Sequence, residues 1–179
     1  PDGDMKWTSE KYLAKQKNMS TVLSMLSREK VPAGPAFIGV AEIENRRVLE
    51  DLVKQPALAA DNYQIVHYEG PDKRGIDCAL LYNPKQFEVI SSKLAPYVYV
   101  DDTVHKTRGF LIVNGKLAGD NVCVIVNHWP SRGAASPARG LRARAEYDPV
   151  PCAGASRRNW SGKAHRCATS CWRALPRHP

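Results

Sequence analysis

The chain has no long apolar run and no even set of cysteines. None of its hydrophobic stretches approaches the roughly 20 residues that a membrane-spanning helix requires. Its five cysteines are an odd number and do not form a disulfide framework. Cys78 and Cys123 lie in apolar runs and are predicted to act as small buried hydrophobes, and Cys167 and Cys171 lack a second ligand pair at metal spacing. The sequence therefore predicts no membrane span, disulfide-stapled domain or cysteine zinc site.

Branched aliphatic residues nearly disappear after Gly133, where Leu141, Val150 and Leu175 are the ones that remain. Residues 133–179 also hold nine of the 26 Lys and Arg residues but two of the 18 acidic ones, so they carry most of the net charge of +8. Such a composition cannot build strands or an amphipathic helix. We therefore predict a folded domain over residues 1–139 and a poorly structured basic tail over residues 140–179.

Two explanations fit this basic tail. A mixture rich in Arg, Ala, Pro, Gly, Cys and Trp is what a GC-rich gene gives when it is read in the wrong frame. The alternative is an arm that binds nucleic acid, with Trp160 and Trp172 available for base stacking. Such arms are usually rich in lysine as well as arginine, and this segment contains a single lysine, which favours the frameshift.

The first 139 residues predict two helices and a series of short strands. Thr8 or Ser9 can cap the first helix, and Pro56 closes the second. The first helix has apolar residues at helical spacing: Tyr12, Met19, Val22, Leu23 and Leu26. Strands are predicted near residues 37–41, 63–68, 76–82, 86–90, 96–100, 108–113 and 121–127, with a tight turn at Gly119-Asp120-Asn121. This order indicates an α/β fold in which helices pack outside sheets of mixed strand direction.

The end of the last predicted strand is the most informative stretch of the chain. Its apolar run stops at Asn127 and His128, and Arg132 follows shortly after. Asn127 and His128 offer hydrogen bonds, His128 can transfer a proton near neutral pH, and Arg132 can bind a phosphate through its guanidinium fork. A strand running into a surface turn would explain the intervening proline and serine but not His128, Trp129 and Arg132 together. The pattern therefore favours a functional site at this strand end.

Two other predicted strands carry similar groups at one end. The first strand stops at Glu42 and is followed by Asn45, and the third contains Asp77 and is preceded by Arg74. A carboxylate, an arginine and a histidine at neighbouring strand ends together indicate a site for a divalent metal and a phosphate. Each residue also has a simpler explanation: Glu42 could cap a helix, Arg74 could be a solvated charge, and Asp77 could pair with a surface lysine.

Three ordered blocks also carry a resemblance: Gly39 to Asn45, Arg74 to Tyr82, and Asn127 to Arg132. Over about residues 1–139 the chain resembles a bacterial branch of the endonuclease/exonuclease/phosphatase superfamily. The resemblance implies a two-sheet α/β sandwich and a phosphoester hydrolase that uses Mg²⁺, with Mn²⁺ as an alternative. The implied substrate is a phosphate ester, and this scaffold serves DNA, RNA, inositol phosphates and phospholipid head groups.

The resemblance also implies roles for individual residues. Glu42 would bind the catalytic metal, and His128 would stand near the scissile phosphate. Together with the chemistry of the three strand ends, this gives a predicted site of one metal ligand, three catalytic residues and three substrate-binding residues: Glu42; His128, Asn127 and Asp77; Arg74, Arg132 and Asn45.

Three features that are usual in the superfamily do not occur in this sequence. The chain begins after the expected position of a strand with a metal-binding Asn, no Gly-Asp-x-Asn block follows His128, and there is no Asp-His pair. We therefore expect a family domain that is incomplete at both ends and has weak or no hydrolase activity. The alternative function is a non-catalytic, basic nucleic-acid-binding protein that acts through its tail.

Overall fold

The computed structural model describes residues 6–99, 107–129 and 143–144. These residues form three helices: α1 (Ser9–Met25), α2 (Arg46–Val53) and α3 (Pro56–Ala59). They also form eight strands: β1 (Phe37–Ile43), β2 (Gln64–His67), β3 (Asp77–Tyr82), β4 (Phe87–Ala95), β5 (Val98–Tyr99), β6 (Phe110–Leu117), β7 (Asp120–Val126) and β8 (Ala143–Arg144). Arg132 and the predicted tail, except for β8, lie outside the described residues. Among the described helices, none is long and apolar enough to span a membrane.

The helices begin at residues whose chemistry suits a helix end. Thr8 is the N-cap of α1, as predicted, and its hydroxyl accepts a hydrogen bond from the backbone N–H of Lys11 at 3.3 Å. Asn45 caps α2 in the same way, accepting from the backbone N–H of Val48 at 3.2 Å. Pro56 follows α2 and opens α3, where its missing N–H costs no helical hydrogen bond. These residues therefore determine where each helix begins.

Only some of the apolar residues predicted at helical spacing in α1 lie in the core. Leu23 is buried, but three of the predicted apolar residues are exposed: Met19, Val22 and Leu26. The face that meets α2 includes the buried Gln16, whose amide donates to the backbone carbonyl of Val48 at 3.1 Å. A polar side chain that satisfies a carbonyl of the neighbouring helix can replace an apolar contact in a helix interface.

The strands form two three-stranded sheets, in the orders β1-β3-β2 and β4-β6-β7, and a two-stranded pair of β5 with β8. The predicted α/β class with two sheets is confirmed. Every pairing among the described strands is antiparallel, however, where the sequence predicted mixed directions. Antiparallel neighbours need only short connections, whereas a parallel pair needs a long crossover between its strands.

Strand β3 separates two apolar layers of the core. Ala79 and Leu81 belong to the layer between the first sheet and the helices, with Leu49 of α2. Cys78 and Leu80 belong to the layer between the two sheets. Since successive side chains of a strand point to opposite faces, a strand covered on both sides reads as a continuous apolar run. Each fully buried leucine contributes roughly 1.5–3 kcal/mol to folding.

A two-residue turn joins β6 to β7. Leu117 pairs with Asp120 across the turn, and Ala118 and Gly119 between them have φ angles of +50° and +89°. The predicted turn is therefore confirmed, but Ala118 and Gly119 supply the positive φ angles, whereas Asn121 lies within β7. Two consecutive residues at positive φ match the twist of the two strands that a short hairpin joins.

The strand register brings several strand ends to one edge of the two sheets, which we call the site edge. Strand β1 ends at Ile43 beside Asp77, the first residue of β3, and β7 ends at Val126 beside Leu111 near the start of β6. A Cβ atom on Gly39 of β1 would lie 3.3 Å from a methyl group of Val126. The absence of a side chain at Gly39 therefore lets β1 and β7 approach closely just before they reach the site edge.

Candidate active site

Glu42 lies at a β-bulge at the end of β1. The pairing of β1 with β3 shifts register between Ala41 and Ile43, and Glu42 has a φ angle of +58°. A left-handed conformation is uncommon for a residue with a side chain and is often found at functional sites. A bulge changes the direction in which a side chain points, and the Glu42 side chain is 64% exposed. The local backbone therefore directs this carboxylate out of the sheet.

His128, two residues after the end of β7, lies beside Glu42 of the first sheet at the site edge. The distance from the Glu42 Oε1 atom to the His128 Nε2 atom is 3.8 Å, so the two side chains lie next to each other. This distance exceeds that of a hydrogen bond, so both groups can still bind a third species. The other ring nitrogen, Nδ1, is buried and has no hydrogen-bond partner among the described residues.

Arg108 holds the backbone around His128 in place. Its Nε donates to the carbonyl of His128 at 2.7 Å, and one Nη donates to the carbonyl of Trp129 at 3.1 Å. The other Nη binds the Asp72 carboxylate at 3.2 Å, and the Arg108 side chain is 4% exposed. Sequence reasoning missed Arg108, although it precedes a strongly apolar strand just as Arg74 does. That shared pattern was the available signal.

Asp72 joins Arg108 to Arg74. It accepts hydrogen bonds from the backbone N–H of Arg74 at 2.9 Å, the guanidinium of Arg74 at 3.3 Å and the hydroxyl of Thr107 at 3.3 Å. Burial raises the pKa of Asp72, but the hydrogen bonds and charge of Arg74 and the Thr107 hydroxyl outweigh it and lower the pKa to about 2. Arg74, predicted to bind substrate, thus lies at the surface with its guanidinium against Asp72.

Asp77, predicted to be catalytic, is buried and has partners other than Glu42 and His128. Its Oδ1 atom accepts a hydrogen bond from the backbone N–H of Gly70 at 2.9 Å. Its Oδ2 atom lies 3.4 Å from the Nε2 atom of His67, the last residue of β2. The simpler explanation, a surface ion pair with lysine, is therefore wrong for Asp77. With Glu69, these two residues form a group whose ligand atoms lie within 4.8 Å of one another and could hold a metal ion.

Three predicted site residues remain: Asn45, Asn127 and Arg132. The side-chain oxygen of Asn45 accepts the capping hydrogen bond of α2, so Asn45 rather than Glu42 caps that helix. Asn127 is half-buried and directly follows β7. Arg132 lies outside the described residues. The structure thus brings Glu42 and His128 together, whereas Asn45 and Asp77 bind other groups.

One protein family matches most of the chain in sequence. The model of a family described as the endonuclease/exonuclease/phosphatase family matches residues 1–146. No curated protein matches the chain in sequence.

Three similar solved structures have low sequence identity to this chain. The human Nocturnin catalytic domain with a bound sulfate anion is 16% identical, with a TM-score of 0.47, over 67% of this chain and 44% of that one. D. rerio TDP2 complexed with a single-strand DNA product is 17% identical, with a TM-score of 0.41, over 63% and 38%. ANGEL2, a 2′,3′-cyclic phosphatase, is 16% identical, with a TM-score of 0.38, over 57% and 29%. The chain therefore spans less than half the length of each of these structures.

Proposed function

Because the chain belongs to the endonuclease/exonuclease/phosphatase family, we propose that it is a metal-dependent, nuclease-like phosphoester hydrolase that is weakly active or inactive as the 179-residue chain. One observation carries the proposal. The carboxylate of Glu42 and the imidazole of His128 come from different sheets and lie 3.8 Å apart at the site edge. A carboxylate and an imidazole this close together are groups suited to binding a metal and to transferring a proton.

We assign the metal to Glu42. Mg²⁺ and Mn²⁺ prefer oxygen ligands, and Mg²⁺ is commonly held by one or two carboxylates together with water and substrate phosphate. The exposed, bulged Glu42 carboxylate fits one such position, whereas the Asn45 side-chain oxygen already caps α2. When bound, the cation would polarise the phosphate and stabilise the leaving oxygen.

We propose roles for the other site residues from their chemistry and, for His128, from its contacts. His128, held at its backbone by Arg108, would donate a hydrogen bond from Nε2 to a phosphate oxygen or protonate the leaving oxygen. The Asn127 amide, next in the chain, would donate a second hydrogen bond. Arg74, which lies at the surface, and Arg132 would bind neighbouring phosphates through their guanidinium groups.

Weak activity follows from the small number of groups in this site. The described residues place a single carboxylate beside His128, and the loss of one positioned acid or base typically lowers a rate by about 10²–10⁴-fold. When several members of one catalytic unit are missing, removing another has little further effect. We therefore propose that Glu42→Ala changes the activity of this chain little.

Metal binding can be tested without turnover. Mn²⁺ is paramagnetic, so its binding at Glu42 should broaden the NMR signals of the His128 ring, and an excess of Mg²⁺ should reverse the broadening. Glu42→Gln should abolish the effect, and the matched change of the exposed neighbour, Glu44→Gln, should leave it. Equal broadening in Glu42→Gln would contradict the assignment of the metal.

Activity is measured as Mg²⁺-dependent cleavage of a plasmid and of a generic phosphodiester by the purified chain. We expect turnover at or just above background. Robust turnover that Glu42→Ala or His128→Ala abolishes would show that the site is complete and would overturn the proposal of weak activity.

The alternative function is supported by the positive charge of residues 133–179, which we propose lie mostly outside the folded domain. Binding of nucleic acid through these residues should weaken steeply as salt is raised and should not require Mg²⁺. Truncation after residue 139 should then abolish binding. Salt-sensitive binding that survives this truncation would assign it to the folded domain instead.

A further inference from the structure

His67, Asp77 and Glu69 form a cluster of metal-binding groups that is distinct from Glu42 and His128. His67 ends β2 and Asp77 begins β3, and the pairing of these strands brings the two residues together. Both side chains are buried, at 2% and 5% exposure, whereas the Glu69 side chain is 70% exposed. Two of the three side chains, those of His67 and Asp77, are therefore fixed by burial, whereas the exposed Glu69 side chain can rotate towards them.

The Nε2 atom of His67 is a buried polar atom with no hydrogen-bond partner among the described residues. It faces the Oδ2 atom of Asp77 at 3.4 Å, a separation too long for a good hydrogen bond. The Oδ1 atom of Asp77 is already bound by the backbone N–H of Gly70, so Asp77 is held in this orientation. A buried nitrogen without a partner is costly, and a cation between the two ligand atoms would satisfy both.

We propose that His67, Asp77 and Glu69 bind a zinc ion. Tetrahedral Zn²⁺ with bonds of about 2.0–2.2 Å separates its ligand atoms by roughly 3.3–3.5 Å, and the distance from His67 Nε2 to Asp77 Oδ2 is 3.4 Å. Octahedral Mg²⁺ would place adjacent ligands roughly 3 Å apart and does not favour an imidazole. Rotation of the exposed Glu69 side chain would supply a third ligand, and water would take the fourth position.

A zinc ion at this position would join the two ends of the loop between β2 and β3. That loop carries Asp72, which binds Arg108, and Arg108 in turn holds the backbone of His128. Zinc binding should therefore stabilise the folded chain. At free Zn²⁺ about 100-fold above the dissociation constant, the expected rise in Tm is about 5–10 °C.

The test measures Zn²⁺ binding at the His67 imidazole by NMR, together with the shift in Tm. Because thiolates also bind zinc, the full chain is used with its three tail cysteines changed to serine: Cys152, Cys167 and Cys171. Excess Mg²⁺ is present throughout to occupy carboxylate sites. The variants are His67→Gln, Asp77→Asn and Glu69→Gln, with Glu44→Gln as the matched control at another exposed glutamate.

We expect one equivalent of Zn²⁺ to shift the His67 ring signals and raise the Tm in the parent chain and in Glu44→Gln. Glu69→Gln should weaken the affinity by about 10-fold or more, and His67→Gln should abolish the response. Glu69 is exposed, so its variant stays informative even if a buried variant fails to fold. Unshifted His67 signals, a protonated Nε2 that persists in Zn²⁺, or an unchanged affinity of Glu69→Gln would overturn the proposal. None of these outcomes depends on Glu42, so they are separate from the test of hydrolase function.

Discussion

Arg108→Met should destabilise the folded chain more than any change at the exposed Arg74. Methionine keeps much of the volume of arginine but removes three hydrogen bonds: those to the carbonyls of His128 and Trp129 and that to Asp72. It also leaves the buried Asp72 carboxylate without one of its cations. Breaking a buried ion pair from one side typically costs about 3–5 kcal/mol. Arg74 and Thr107 still bind Asp72, so we expect a loss of about 3 kcal/mol, at the lower end of that range.

Urea unfolding of the purified chain measures this loss. With an m-value of about 2 kcal/mol/M, the midpoint for Arg108→Met should fall by about 1.5 M. The matched control is Arg74→Met, because Arg74 binds the same carboxylate from an exposed position. Exposed ion pairs contribute about 0–1 kcal/mol, so the midpoint of the control should fall by about 0.5 M or less.

The double variant Asp72→Asn with Arg108→Met separates charge from packing. If the unpaired carboxylate causes most of the loss, the double variant should be less destabilised than the sum of the two single variants by about 1 kcal/mol or more. A loss below about 1 kcal/mol for Arg108→Met, or equal losses for Arg108→Met and Arg74→Met, would refute the reasoning that this arginine holds the His128 segment.

Three other outcomes are expected. The pKa of Asp72 is about 2 in the folded chain, below the ordinary 3.8, so about 2 kcal/mol of stability should be present above pH 4 and lost as the pH falls towards 2. Acid titration of unfolding should show this loss and should lack it in Asp72→Asn. Gly115→Ala should cost about 1–3 kcal/mol, because the new Cβ would lie 2.4 Å from the Glu88 carbonyl oxygen. At Gly119 a new Cβ would meet nothing within 4 Å, so Gly119→Ala should lower stability by about 1 kcal/mol through its positive φ angle alone. Equal losses for Gly115→Ala and Gly119→Ala in thermal unfolding would contradict the packing argument. Asn45→Ala should lower stability by about 1 kcal/mol through loss of the α2 cap, whereas Asn45→Asp should retain the cap. An unchanged Tm in both variants would contradict the role of Asn45 as the cap.

The sequence by itself predicted the features that depend on neighbouring residues. The cap at Thr8, the apolar run of β3 and the turn before β7 follow from local propensity and side-chain periodicity. The strand ends at Glu42 and His128 were also readable, because polar residues that directly follow a buried strand must lie at the edge of its sheet. The order of three short blocks then indicated the family, and the family match confirms it.

Tertiary structure decided which polar residues meet. Asp72 and Arg108 lie 36 residues apart and pair because the loop after β2 reaches the start of β6. The register of β2 with β3 brings His67 to Asp77, so a residue predicted to act beside His128 has a different partner.

The direction of side chains at bulges and helix faces was also decided by packing. The bulge at Glu42 and its φ angle of +58° arise in the pairing of β1 with β3, and the polar buried face of α1 arises in its contact with α2. Local propensity determines where an element begins and ends, but it acts through residues that are close in the chain. Register and layer packing depend on contacts between distant segments, and for this reason the partners of Arg108, Asp77 and Gln16 required the folded structure.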